Sequence, residues 1–143
     1  MANPTISISY LPVPIKNPVT FEFIEDKFYP FVNIRISYRE KLSISFEALV
    51  DSGSDRNLFP AYFGEMIGLN FKQDIPKIII GIGGVRIKAY TKAVKIYLYG
   101  HVFDSEIDFS YQQDMFLLGR DGFFNLLKSV KFKEKDRFLD LEF

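Results

Sequence analysis

Between Phe31 and Val50, apolar and polar positions alternate with period two. Val32, Ile34 and Ile36 stand against Asn33, Arg35 and Ser37, and Leu42, Ile44, Phe46 and Ala48 against Ser43, Ser45 and Glu47. Alternation of this kind turns one face of a strand inward, so the stretch predicts a β-hairpin with the polar Tyr38 to Lys41 at its turn. Pro60 suits the first residue of a short helix over Ala61 to Ile67, and Gly68 suits its end. A second hairpin is predicted with arms Lys77 to Ile80 and Val85 to Thr91. Its tip, Gly81-Ile82-Gly83-Gly84, holds three glycines that permit positive φ. Ala93 to Tyr99 and Val102 to Phe109 predict a third hairpin turning at Gly100-His101. An apolar strand, Met115 to Leu118, follows, then a helix from about Asp121 to Leu127 with Phe123 and Leu127 stacked, and a closing pair of strands around Glu134 to Asp136.

The first 18 residues break this rhythm with Pro4, Pro12, Pro14 and Pro18. Proline removes backbone donors, so an extended arm or edge strand is expected there and no helix. The chain thus divides into a Pro-rich arm, 1–29, and a domain, 30–143, that is mostly β. Many short strands separated by Gly-containing turns point to a small barrel or sandwich.

Composition narrows the chemistry. The 143 residues carry 18 Lys and Arg against 18 Asp and Glu, which gives no surplus of positive charge for nucleic acid or an anionic membrane. There is no cysteine, so disulfides, thiolate nucleophiles and Cys-held metals are excluded. The single histidine, His101, excludes any site needing two, and in a predicted turn it reads as a solvated loop residue. No metal or cofactor is expected. Neither a basic-then-apolar leader nor a run of roughly 20 apolar residues occurs, so the expected location is cytoplasmic. The 16 phenylalanines read mostly as core, and the basic stretch from Lys128 to Arg137 as a solvated hairpin.

Three segments remain. The apolar strand Phe46 to Val50 runs straight into Asp51-Ser52-Gly53-Ser54-Asp55. A carboxylate emerging from a buried strand is costly without a use or a partner, although a strand-ending turn favours the same residues. The segment Ile78-Ile79-Ile80-Gly81-Ile82-Gly83-Gly84-Val85 reads as a mobile hairpin tip; without a Gly-Lys-Ser/Thr ending it is no phosphate loop. Phe116-Leu117-Leu118-Gly119-Arg120-Asp121 is an apolar strand leading into Gly and a short helix.

Taken in this order and spacing, the three motifs resemble the retroviral-type aspartic proteases, the retropepsins and their cellular and bacterial relatives, over about residues 30 to 143. The resemblance implies a small closed β-barrel of the acid-protease type with two short helices and one flap hairpin per chain. By position it implies Asp51 as the catalytic aspartate, Ser52 as the hydroxyl bonding to its counterpart across the site, and Gly53 facing the substrate backbone. Asp55 would bind substrate main chain and pair with Arg120, the arginine after Gly119 in the second motif; two unrelated surface charges is the plainer alternative. Arg56 falls where side-chain specificity is shaped, and Ile80, Gly81, Ile82, Gly83 and Gly84 would form the flap. Ser54 stands where viral members often have Ala, and its hydroxyl is expected to donate to the Asp51 carboxylate.

The chemistry of that family needs two aspartates sharing a proton. This chain offers one, since Asp108, Asp121 and Asp140 lack the hydroxyl-glycine continuation. The expected assembly is therefore a homodimer with the site on its axis, cutting an extended polypeptide held as an added strand. Two other readings stay open: a protease-like dimer that binds peptides or proteins without cutting them, and a structural barrel in which Asp51 to Ser54 is only a turn.

Overall fold

A computed structural model describes residues 4–143, apart from the Ile82 side chain. Thirteen strands are described: β1 (Thr5–Ser9), β2 (Leu11–Lys16), β3 (Phe23–Tyr29), β4 (Phe31–Tyr38), β5 (Lys41–Leu42), β6 (Phe46–Val50), β7 (Leu58–Pro60), β8 (Lys77–Ile80), β9 (Arg86–Leu98), β10 (His101–Ser110), β11 (Leu117–Leu118), β12 (Ser129–Lys133) and β13 (Phe138–Glu142). One α-helix, α1 (Ala61–Met66), lies between β7 and β8. The main sheet runs β5-β4-β6-β11-β7-β10-β9-β8, and pairing of β4 with β9 closes six of these strands into a barrel. Closure removes the open edges that a sheet of this length otherwise exposes.

The alternation along β4 does what a period of two requires. Val32, Ile34 and Ile36 are buried while Asn33 and Arg35 face solvent. The same holds on β9 for Val94, Ile96 and Leu98, which makes β9 one long strand shared by the second and third predicted hairpins. Phenylalanines fill the barrel beside α1: Phe46, Phe59, Phe63 and Phe116 meet mostly edge to face with centroids 4.4–5.5 Å apart. Gly64 lets α1 approach Phe109 and Phe71, since a Cβ there would stand 3.0 Å from both rings. The helix ends as read, with Gly68 at φ +91° and its N–H donating to the Glu65 carbonyl.

Three local readings are corrected. Leu42 and Ile44, expected to face inward with Phe46, are exposed, because the buried Ser43 takes over the ladder. Its hydroxyl accepts from Ile36 N and donates to the Ile44 carbonyl, which bends the chain and flips the alternation before β6. The helix expected over 121–127 is a single 3₁₀ turn, Phe124–Leu126. Gly122 at φ +111° and an Asn125 side chain that accepts from Gly122 N stop an α-helix from starting, although Phe123 and Leu127 are buried as expected. His101 opens β10 and stacks flat on Phe143, with centroids 3.7 Å apart.

The Pro-rich arm is paired. β1 lies antiparallel to β13, which pairs in turn with β12, so residues from both sequence ends share a three-stranded sheet. Lys133, then Ser7, hold the Asp140 carboxyl below its ordinary value across that sheet. β2 and β3 form a separate two-stranded ribbon. Pro12 and Pro14 stand two apart on it, so both missing donors fall on one edge. The ribbon's outer residues Val19, Phe21, Phe23 and Ile24 are exposed, and its base is tied to the barrel where Val50 N donates to the Pro30 carbonyl. Among the described residues, no helix is long and apolar enough to cross a membrane.

Candidate functional site

β6 delivers Asp51 to one end of the barrel. There β11 lies parallel to β6, and Asp51 N donates to the Leu118 carbonyl at 2.9 Å. The chain turns at once: Gly53 N donates to Asp51 Oδ1 at 2.9 Å, and Ser54 N donates to the Asp51 carbonyl at 3.1 Å. A Cβ on residue 53 would stand 3.2 Å from that same carboxylate oxygen, so glycine suits the approach of backbone to charge. Asp51 is half-buried and Ser52 is exposed.

The segment after β11 threads beside this turn. Arg120 N donates to the Ser54 carbonyl at 2.9 Å and Asp121 N to the Asp55 carbonyl at 2.8 Å. Gly119 is buried at the crossing and its N–H donates to Asn57 Oδ1 at 3.0 Å. Asn57, fully buried, spends its amide on the Glu106 carbonyl at 3.0 Å and so ties β10 to the crossing. A polar side chain in such a place is stable only when its bonds are made, and here they are.

Two site expectations change. Among the described residues Asp55 and Arg120 form no ion pair; they meet this crossing through backbone atoms, and both side chains are exposed. The bracing arginine is Arg56. Its Nε lies 2.9 Å from Asp108 Oδ2, its Nη2 3.3 Å from Asp108 Oδ1 and its Nη1 2.9 Å from Asp121 Oδ2. Partial burial lowers the Arg56 pKa, but hydrogen bonding and charge from Asp108, with Asp121 and Glu106 adding, outweigh it and the net shift is upward. The guanidinium is therefore charged at every working pH. Nor does the Ser54 hydroxyl reach Asp51: it donates to the Arg56 carbonyl at 2.7 Å.

β8 and β9 form a hairpin over this end of the barrel, in register Lys77↔Ala89 to Ile80↔Arg86. Gly81 N donates to the Val85 carbonyl, and Ile82–Gly84 make a 3₁₀ turn with Gly83 and Gly84 at φ +84° and +79°. Between hairpin and turn lies a cleft of about 700 Å³. Asp51, Gly53, Ser54, Asp55 and Arg56 line one wall, and Ile78, Ile79, Ile80, Gly81 and Val85 the other. Leu58, Ile87 and Leu117 add apolar surface to the lining, and Lys77, Asp108, Gln112 and Gln113 add polar surface. Of the residues singled out in the sequence, Ser52, Gly119 and Arg120 are not part of this lining, and Ile82, Gly83 and Gly84 form the tip beyond it.

Sequence reasoning misses Asn57, and it weighs Asp108 only as a second catalytic aspartate and sets it aside. Asp108 is fully buried and, besides Arg56, takes Thr91 Oγ1 at 2.7 Å and Lys77 Nζ at 2.9 Å. The only hint was a charge inside the apolar run Ile107 to Phe109.

No family profile matches the chain, and no curated protein does. Solved structures do: 137 chains match. One is the EIAV protease complexed with the inhibitor HBY-793, with a TM-score of 0.52 and 17% identity over 64% of this chain and 82% of that one. At that identity the likeness is one of fold. This chain has a closed, mostly β barrel with the retropepsin-like fold.

Proposed function

We propose that the protein is an aspartic endopeptidase that works as a homodimer. The observation that carries this reading is Asp51 at the mouth of the cleft, its carboxylate bonded by Gly53 N–H and its backbone fastened to Leu118 beneath a glycine-tipped hairpin. Ile78, Ile80 and Val85 on that hairpin are more than half exposed, apolar surface suited to covering a bound chain.

Neither of the other cleft carboxylates has the features expected of a dyad partner for Asp51. Asp108 is held by Arg56, Lys77 and Thr91, and Asp55 lacks the Ser-Gly continuation. A second copy related by a two-fold axis supplies the missing group from its own Asp51 turn. Two carboxylates so placed share one proton. The ionised one takes a proton from water as the oxygen attacks the peptide carbonyl carbon, and the protonated one donates to the carbonyl oxygen. Collapse of the resulting gem-diol breaks the C–N bond, and the nitrogen leaves protonated. An extended substrate lies as an added strand under two flaps, and the apolar lining favours apolar side chains beside the scissile bond.

Purified protein incubated with a diverse peptide library from about pH 4 to pH 7 is expected to cut it, and Asp51→Asn to lose every cut, read by mass spectrometry. Peptides retained but uncut by a dimeric wild type would favour a binding module instead. The Ser54 bond gives a second expectation. Because that hydroxyl serves the Arg56 carbonyl, Ser54→Ala leaves the acid limb of the pH–rate profile in place while lowering stability by about 1 kcal/mol, seen in urea unfolding. An upward move of that limb would restore a direct bond from Ser54 to Asp51.

A further inference from the structure

We propose that Asp108 is a positioning residue that pins the base of the flap to the catalytic turn; the inference rests on the peptidase reading above. The carboxylate is fully buried, a costly placement unless every lone pair is used. Its donors come from three separate pieces of chain. Lys77, 2.9 Å away, opens β8, the first strand of the flap. Thr91, 2.7 Å away, lies on β9, the second strand, directly opposite Asp108 in register. Arg56, at 2.9 Å and 3.3 Å, comes straight from the catalytic turn and carries the link on to Asp121 beside Gly119. Asp108 N also donates to the Asn57 carbonyl at 2.9 Å, so backbone and side chain bind the same segment.

Nothing in β10 itself asks for a carboxylate there, since its neighbours Ile107 and Phe109 are fully buried apolar residues. What the charge does is join both flap strands to the residues that hold Asp51. The flap is then a lever with a fixed base. Gly81 is four steps along the chain from Lys77, a reach of roughly 13 Å, so a small tilt at Lys77 becomes a displacement of ångströms at the tip. Gly83 and Gly84 leave the tip pliable, and the Asp108 bonds keep that pliability from spreading to the base.

The test needs no substrate. Hydrogen exchange of residues 77–91 is measured in the wild type, Asp108→Asn, Lys77→Met and the double variant, with 31–38 and 129–142 as internal reference. Each single change is expected to speed flap exchange roughly tenfold and leave the reference segments alone, and the double to add little, because both remove one link. Unchanged flap exchange in both, or equal acceleration everywhere, would overturn the proposal. If Asp108→Asn fails to fold, Lys77→Met and Thr91→Val carry the same comparison. On a cleaved peptide, Lys77→Met is expected to raise KM several-fold with kcat nearly kept, and Lys77→Arg to restore it. A wild type that cuts nothing sinks the peptidase reading, and the exchange result still decides whether Asp108 fastens the hairpin.

Discussion

Gly119→Ala is expected to lose about 4 kcal/mol of folding stability, most of the margin of a marginally stable domain. A Cβ there would stand 2.3 Å from the Arg56 carbonyl oxygen, 2.5 Å from its carbon and 2.7 Å from the Ser54 carbonyl oxygen. All three are backbone atoms, so no rotamer relieves the clash. Only separation of the two segments does, and that strains the Arg120 N to Ser54, Asp121 N to Asp55 and Gly119 N to Asn57 bonds together. Overpacking alone costs about 1–3 kcal/mol, and each weakened hydrogen bond adds about 1. Against a typical margin of about 5–15 kcal/mol this is a large fraction. Urea and thermal unfolding by circular dichroism check it, with Gly83→Ala as comparison. That position has open space for a Cβ and only its φ of +84° to strain, so a loss of about 1 kcal/mol confined to the hairpin is expected there. A Gly119→Ala protein as stable as Gly83→Ala would mean the crossing gives way more easily than its geometry implies.

That crossing also marks where sequence reading succeeds and fails. Period-two patterning finds β4 and the Val94 to Leu98 part of β9 because each has one face in the core, and side-chain polarity reports a face directly, whereas the second hairpin, whose β8 arm has no buried residue, is found from its glycine tip. Asp51-Ser52-Gly53 and Gly119 stand at the ends of β6 and β11 as expected, because strand-ending turns draw on Asp, Ser and Gly, and it is the order of the three motifs that singles them out from ordinary turns. Asn57, and Asp108 as a brace, are illegible for a physical reason. Their partners lie far along the chain, Gly119 and Glu106 for one and Arg56 and Lys77 for the other, and the value of a buried polar group lies wholly in those partners. Period two places Asp108 outward, between Ile107 and Phe109, whereas β10 at that point is covered on both faces and every residue from Ile107 to Ser110 is buried. Arg120 shows the opposite error. Its place after Gly119 matched a motif, but its side chain and that of Asp55 are both exposed and form no pair with each other, while Arg56, which the sequence marked for specificity, holds Asp108 and Asp121.

If the protein is the homodimeric peptidase proposed above, mixing wild-type protein with Asp51→Asn chains is expected to destroy more activity than the share of mutant chains accounts for. A carboxamide can neither take the proton from water nor hold the one a dyad shares. A dimer in which one of the two Asp51 side chains has become asparagine therefore loses the general acid–base contribution, roughly 10²–10⁴-fold. If each site takes one Asp51 from each of two freely exchanging chains, an equal mixture leaves roughly a quarter of the dimers with both carboxylates, and activity follows the square of the wild-type fraction. Were each chain to hold a complete site, the same mixture would keep roughly half. The two curves differ most near equal proportions, well beyond the error of a peptide-cleavage assay. A companion dilution series separates assembly from chemistry, because activity per chain rises with concentration through the dimer dissociation constant and then levels. A straight-line fall with mutant fraction, from protein that sediments as a dimer and has been unfolded and refolded as a mixture so that chains exchange, would place the second proton-sharing group within the same chain. Asp55 would then be the carboxylate to examine, since it lines the cleft wall with Asp51 and, unlike Asp108, carries no ion pair among the described residues.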